Sequence, residues 1–409
     1  MTGPRLPLPP ARVRRGAAAP LALVVAGALA AGVIAAGGGE GAGTDSADHG
    51  RAAGRGRDVA PAPARRESTD RAAVLDAARE AAADGKSGSQ AAAEVVSRSG
   101  DRWSTVYTAR QYRDFQQQLD GRYVGVGLWV RQAADGRVRV AKVGADAPAA
   151  RAGVAPGDLL DAVDGSATKG RPITDVVADL RGSRAGDDAP SAAGSAVILD
   201  LRRGGRRWRV TLHRVRMRTQ NVTVRRSDAP GGPTLIAVAA FAKGTGEEVR
   251  RAVRTVPAGG GVLLDLRGNS GGLVSEAVTA AAAFLDGGLV ATYDVEGHQH
   301  ALYAQQGRAV KAPLVVLVDS GTMSAGELLA GALQDRGRAV LVGDRTFGKG
   351  SVQLPSTLPG GSVAELTVGH YRTPSGRSVD GRGIVPDLPS QSGAEERART
   401  VLSGLGTGA

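Results

Sequence analysis

The sequence predicts an α/β core behind a β-rich module, with an N-terminal helical region following an apolar segment. Three observations carry this. From Asn221 onward short apolar runs alternate with helical segments, the pattern of a sheet covered by helices. From Val124 to His213 the chain alternates as strands do, between glycine turns. From Ser68 to Gln118 the apolar residues return at helical spacing.

The first 15 residues are a basic segment with Arg5, Arg12, Arg14 and Arg15, and residues 16–38 are apolar. About twenty apolar residues can span a bilayer, and the positive flank stays in the cytoplasm. The segment therefore reads as a transmembrane anchor, or as a signal segment cleaved at the small residues near its end, and the remainder lies outside the cytoplasm. Residues 39–66, rich in Gly, Ala, Pro, Arg and Asp without apolar periodicity, read as a disordered linker.

Residues 67–120 form the helical region. Ser68-Thr69-Asp70 is an N-cap, Ala73, Val74, Ala77 and Ala81 share a side, Asp84 to Gly88 is a break, and Ala109 to Leu119 is a further helix. Residues 121–214 form the β-rich module. Val138, Val140 and Val143 precede a turn, Ala147 to Val154 is a short helix with a glycine stop, and Pro156-Gly157-Asp158 leads into Leu159 to Val163. Val197, Leu199 and Leu201 pair with Trp208, Val210 and Leu212 around Gly204-Gly205. Residues 215–395 form the core, with strands at Leu235–Phe241, Gly261–Leu266, Leu289–Tyr293 and Pro313–Val318 and helices at Gly246–Val256 and Val274–Leu285. Residues 396–409 read as a C-terminal tail.

Composition narrows the function. The net charge of +12 and pI near 10.6 would suit nucleic acid, but the arginines are scattered and no aromatic interleaving or nucleic-acid motif accompanies them. A solvated basic surface is expected, and no nucleic-acid partner. The absence of cysteine excludes disulfides, thiol nucleophiles and cysteine metal sites. Of five histidines only His298 and His300 are close in sequence, without further ligand spacing or a His-Glu-x-x-His run. They read as exposed loop residues, and neither a metal nor a cofactor is expected.

Chemistry concentrates in Ser324 and Lys349. An apolar run from Pro313 to Val318, a Ser/Gly turn, Ser324 and then a helical stretch from Ala325 to Gln334 place a hydroxyl at a helix N-terminus, where the free amides and the dipole favour developing negative charge. Lys349 lies between glycines in a later turn and is one of six lysines among 52 basic residues. Arginine does not deprotonate, whereas a buried lysine can serve as a base. Locally, a helix-capping serine and a solvated turn lysine would look the same.

Leu314 to Gln353 resembles the signature block of the C-terminal processing peptidases, the carboxyl-terminal or tail-specific protease family of Ser-Lys serine proteases with a PDZ domain. Three further segments match in order: Arg102–Val130 with Gly121-Arg122-Tyr123-Val124-Gly125-Val126-Gly127, Leu263-Leu264-Asp265-Leu266-Arg267-Gly268-Asn269-Ser270-Gly271-Gly272, and Tyr371–Arg377 with Gly383–Asp387. The resemblance covers roughly Arg102 to Pro389. It implies an α/β protease core with an inserted PDZ domain of circularly permuted order. Ser324 would be the nucleophile, Lys349 the general base and Gln353 the residue orienting the lysine. The backbone amides of Gly271 and Ala325 would form the oxyanion hole, and Gly125, Val126 and Gly127 the carboxylate-binding loop. Asp265, Arg267, Glu327 and Asp335 are read as structural. Two departures stand out: Ser270 where the family usually has proline, and Gly326 where it often has a second serine.

A rival reading takes Gly268-Asn269-Ser270-Gly271-Gly272 as the nucleophile turn of a trypsin-like protease, but no suitable histidine and aspartate precede it and the PDZ-like stretch comes first. The expectation is a membrane-tethered or secreted extracytoplasmic serine endopeptidase acting on protein or peptide substrates with free C-terminal tails, with a homo-oligomer or an activating partner protein left open. The alternative is a catalytically silent PDZ adaptor that binds such tails.

Overall fold

The computed structural model describes residues 69–133, 135–182, 193–229, 231–295, 298–307 and 309–406. The basic, apolar and linker segments expected over residues 1–66 lie outside the described residues. Among the described residues no helix is long and apolar enough to cross a membrane.

The core is a six-stranded sheet in the order Val222–Arg226, Thr234–Val238, Val262–Asp265, Leu314–Val318, Val340–Gly343, Leu388–Pro389. The first strand is antiparallel and the rest are parallel. Leu314–Val318 is buried on both faces, as its uninterrupted apolar sequence requires. Its side chains alternate between two cores. Leu314, Val316 and Val318 join the cluster beneath helices Thr245–Arg254, Val274–Ala281 and Ala325–Asp335. Val315 and Leu317 join Ala398 and Leu402.

Those last two residues belong to a helix, Ala394–Gly406, packed on the opposite face of the sheet. The expected C-terminal tail is thus a structural layer. Ala398, Val401 and Leu402 supply one apolar stripe at helical spacing, too short a signal to stand out in an Ala- and Gly-rich sequence.

The run Leu289–Tyr293 is also placed differently. It is a strand, Leu289–Val295, but it pairs antiparallel with His298–Tyr303 and with Val363–Arg372 in a second sheet. That sheet also contains Ser351–Thr357 and, at one edge, Thr105–Tyr107. The helical region therefore does more than pack beside the core: it contributes a strand. Helices Arg71–Ala83 and Gly88–Arg98 bury Val74, Ala78, Ala92 and Val96 against Ala364 and Leu366 of this sheet and Leu358 of the turn beside it. Asp70 caps the first helix through the amides of Ala72 and Ala73. Its buried face is Val74 and Ala78, and Ala73 is exposed.

The β-rich module forms its own sheet in the order Leu128–Gln132, Val138–Val143, Leu159–Val163, Ala196–Arg203, Arg206–His213, with Ser166–Ala167 paired to the third strand. Val138, Val140, Leu160, Val197, Leu199 and Leu201 are buried on the expected period of two. A helix absent from the sequence reading, Ile173–Arg181, completes the core with Val176 and Leu180 and ends at Gly182 in the left-handed conformation. The chain enters through Arg122–Gly125 and leaves through Val215–Arg218. These two strands pair with each other outside the module's sheet, the geometry of an inserted unit.

Candidate active site

Ser324 follows the Leu314–Val318 strand and its turn, and it immediately precedes the helix Ala325–Asp335. Its backbone, φ 50° and ψ −109°, lies outside the regions that side-chain-bearing residues favour, a strain that persists only where surrounding contacts impose it. The contacts are identifiable. The Met323 amide donates to the Asn269 carbonyl at 2.8 Å, the Ser324 amide to Glu327 Oε2 at 2.8 Å, and the Leu328 amide to the Ser324 carbonyl at 2.8 Å. Ser324 is fully buried, and its Oγ has no hydrogen-bond partner among the described residues.

Lys349 is brought to the same place by two clamps. The first is Glu327. Its Oε1 accepts from Thr346 Oγ1 at 2.5 Å and the Gly348 amide at 2.7 Å, while Oε2 accepts from the Lys349 amide at 2.9 Å in addition to that of Ser324. One carboxylate thus ties the nucleophile turn to the lysine turn, with all four of its neighbours donating. Burial pushes Glu327 above the usual carboxylate range, and these hydrogen bonds pull against it. The second clamp is the buried Tyr371, whose hydroxyl lies 2.9 Å from the Ser324 carbonyl oxygen and 3.1 Å from that of Lys349.

The lysine side chain is 1% exposed. Its Nζ stands 5.0 Å from the centroid of the Trp103 ring, which packs in turn on Phe347 at 5.7 Å. Burial lowers Lys349 from 10.5 to about 8, against the opposing pull of Glu365, Asp101 and Glu327. A solvated turn charge is therefore excluded; the lysine is buried and has lost much of its preference for the proton.

Gln353 lies on the strand Ser351–Thr357, fully buried. Its Nε2 donates to Ser351 Oγ at 2.7 Å and Thr367 Oγ1 at 3.2 Å, leaving Oε1 without a partner. The amide is fixed in orientation and presents an acceptor, which is what orienting an amine requires.

The expected oxyanion donors meet a more mixed outcome. A Cβ built on Gly271 would lie 3.1 Å from Ser324 Cβ and 3.6 Å from the Ala325 nitrogen, so the two loops do converge. The Ala325 amide has no acceptor among the described residues. The Gly271 amide, however, donates to Asn269 Oδ1 at 2.9 Å, and it reaches a substrate oxygen only by giving that bond up. Asn269 is itself held by Nδ2 donating to the Val238 carbonyl at 2.7 Å.

Both departures from the family pattern have local reasons. A side chain at Gly326 would approach Asn269 Oδ1 to 2.9 Å. The Ser270 amide donates to the Ala239 carbonyl at 3.2 Å, a bond closed to proline. Asp265 and Arg267 form a two-pronged ion pair at 2.8 and 2.6 Å, the structural role expected of them. Asp335 binds Ser375 and Arg377.

Gly125, Val126 and Gly127 join the ingoing strand to the module. The Val126 and Gly127 carbonyls accept from Ala149 and Gly144, and the amides of both residues have no acceptor among the described residues. Glycine at 127 has a reason in the packing of the module. Its φ is +75°, and a Cβ there would lie 2.2 Å from Ala147 Cβ, so internal packing rather than ligand approach forbids a side chain. His298 and His300 lie on the strand His298–Tyr303 rather than in a loop, with His300 stacked on Tyr293 at 5.0 Å.

Sequence reading missed Trp103, Tyr371 and Glu365 and undervalued Glu327. Glu327 three residues after Ser324 matches a helix-capping spacing, which was the available signal. The others reach the site across the second sheet, from positions distant in sequence.

Comparison with known proteins gives matches in both the core and the β-rich module. Residues 234–390 match the model of peptidase family S41, and residues 139–187 match a PDZ domain. The carboxy-terminal processing protease CtpA of Bacillus subtilis (strain 168) is 31% identical over 296 residues, 71% of this chain and 61% of that protein. A probable CtpA-like serine protease of Staphylococcus saprophyticus is 28% identical over 315 residues, 76% of this chain and 62% of its own. The chain thus spans about three fifths of the length of these relatives. Among solved structures, the photosystem II D1 C-terminal processing protease aligns with a TM-score of 0.49 and 26% identity over 81% of this chain and 96% of its own. The chain thus has an α/β core of the peptidase family S41 type, over residues 234–390, with a PDZ domain ahead of it.

Proposed function

We propose that the protein is an extracytoplasmic serine endopeptidase that cuts protein substrates near their C-termini by a Ser324–Lys349–Gln353 acyl-enzyme mechanism, with the PDZ domain reading the free tail. The observation that carries this is the pairing of an unpartnered, buried Ser324 Oγ at a helix N-terminus with a buried Lys349 lowered to about 8. The same two residues share the Glu327 and Tyr371 clamps.

In this mechanism neutral Lys349 Nζ takes the Oγ proton as Oγ bonds to the scissile carbonyl carbon. The oxyanion is received at the N-terminus of the helix Ala325–Asp335, where the Ala325 amide is open. The lysine ammonium then gives its proton to the departing amine as the C–N bond breaks, leaving an ester on Ser324. Water, deprotonated by the same lysine, releases the acid and restores the serine. Gln353 Oε1, which is open in this structure, would hold Nζ in line by accepting one of its hydrogens as the amine turns toward it. Because the base must be neutral, kcat/KM rises with pH through about 8.

The basic flank and the apolar stretch of residues 16–38 support a membrane anchor with the enzyme outside the cytoplasm, or secretion after cleavage. The unused amides of Val126 and Gly127 support capture of a carboxylate by the PDZ domain.

The test is hydrolysis of casein and of a peptide with an apolar free C-terminus by the wild type, Ser324→Ala and Lys349→Arg. Loss in both variants, with melting curves retained, is expected. Substantial hydrolysis by a folded Lys349→Arg enzyme would refute the mechanism, and tail binding without hydrolysis by the wild type would identify an adaptor instead.

A further inference from the structure

Five buried side-chain oxygens have no hydrogen-bond partner among the described residues, and four of them belong to Ser324, Gln353 and Glu365. Ser324 and Gln353 have work in the reaction. Glu365 has none, although it is fully buried and the Tyr112 hydroxyl is the one donor that approaches its carboxyl, short of full hydrogen-bond geometry. A carboxyl so sparsely hydrogen-bonded is among the more costly groups to bury, so its surroundings are informative.

Glu365 lies on the strand Val363–Arg372, opposite Thr105 on one side and Pro355 on the other. Its neighbours Ala364 and Leu366 point to the helical region. Glu365 points to the other face, shared two residues on by Thr367, whose Oγ1 accepts from Gln353. The carboxyl is therefore on the Gln353 side of the sheet, and its charge acts on Lys349 more strongly than that of any other acid near the lysine. The groups facing it are Tyr107 from the edge strand, Tyr112 from the helix Ala109–Leu119, and Lys349. Asp101 and Glu327 complete the charges around the lysine, and the Trp103 ring closes it off.

We propose that Glu365 is a positioning residue for Lys349, a buried acid whose proton determines whether the lysine is held as an ammonium or released as the neutral base. This rests on the Ser324–Lys349 mechanism above. Burial pushes Glu365 up to about 7 and Lys349 down to about 8, so both groups titrate near neutrality and the charge of each bears on the other. Ionised Glu365 favours the ammonium; protonated Glu365 favours the amine. The surrounding acids and phenols do not compete. Burial raises Tyr107 and Tyr112 out of this range. Burial works against Asp101 ionising but is outweighed by hydrogen bonds from Ser104 and Trp103. Glu327 keeps its four donors.

The experiment has two readouts on the full chain: the pH profile of kcat/KM for a fluorogenic peptide, and the 13C resonance of Lys349 Cε in lysine-labelled protein. The lysine signal is assigned by its loss in Lys349→Arg. In Glu365→Gln the rising limb of kcat/KM and the Lys349 titration should both move to lower pH, by roughly one unit or more. Glu365→Asp should return both toward the wild type. An unchanged or upward-moved titration in folded Glu365→Gln would overturn the proposal. Should that variant fail to fold, the wild-type spectrum decides: a coupled pair gives two steps, and a single step at an ordinary lysine pKa would overturn it. Hydrolysis by Lys349→Arg would refute the Ser-Lys mechanism while leaving the titration to judge the pair by itself.

Discussion

Replacing Lys349 by methionine should abolish hydrolysis and make the protein more stable. At pH 7 the unfolded chain holds this lysine as a hydrated ammonium, whereas the folded protein has lowered it from 10.5 to about 8. Each unit corresponds to about 1.4 kcal/mol, so keeping the charge buried costs roughly 3 kcal/mol relative to the neutral amine. Methionine matches the stem and carries no charge. It forfeits the contact of Nζ with Trp103 and the polar contacts of the ammonium, together about 1 kcal/mol. A net gain of about 2 kcal/mol is expected near neutrality. The sign with pH follows from the lowered lysine: the penalty is complete below pH 8, fades as pH rises from 8 toward 10.5, and is absent above. The gain should fade likewise, and sooner because Glu365, left without its cation, must stay protonated. Urea denaturation at pH 7 and pH 10, in a Ser324→Ala background to prevent self-cleavage, measures both. The reasoning fails if Lys349→Met is no more stable than its parent at pH 7, or if the gain persists undiminished at pH 10.

Glu327→Gln should cost about 3 kcal/mol or more in urea and most of kcat, because an amide accepts through one oxygen and turns its own hydrogens toward two of the four donors. Leu402→Ala, on the C-terminal helix, should lower stability by about 2–5 kcal/mol through the cavity left beside Leu235, Leu263 and Val342. Gly127→Val should depress the melting temperature, since its side chain meets Ala147, which makes it a poor probe of tail binding. Amidating the C-terminus of a peptide substrate is the cleaner probe: kcat/KM should fall for the amide, and equal rates would remove the PDZ domain from recognition.

Ser324, Lys349 and Gln353 were legible as candidates through the resemblance of Leu314 to Gln353 to a family signature block, whereas the local patterns alone, a strand, a turn and a helix around the serine and glycines around the lysine, fit a capping serine and a solvated lysine equally. Glu365 carries no such mark. On an alternating strand a glutamate reads as a solvent-facing residue, and only the edge strand Thr105–Tyr107 and the helix behind it convert that face into an interior. Trp103 was hidden for the same reason, since its contact with Lys349 joins residues separated by the whole PDZ domain. That the strand Leu289–Val295 joins the second, antiparallel sheet was not legible, because an apolar run states that a strand is buried and not which sheet receives it. The C-terminal helix was lost in a composition where alanine and glycine blur periodicity.

The ingoing and outgoing strands of the PDZ domain end on paired residues, Gly125 opposite Val215. A chain that leaves a scaffold and returns to the same spot can be exchanged like a cartridge, because whatever lies between the two points needs only to bring its own ends together. A short hairpin turn would close the gap in the catalytic body. A different reader domain with adjacent termini would occupy the same socket. With the PDZ domain as the proposed reader of the substrate tail, substrate choice would be free to be rewritten by recombination, without altering the residues proposed to perform the cut.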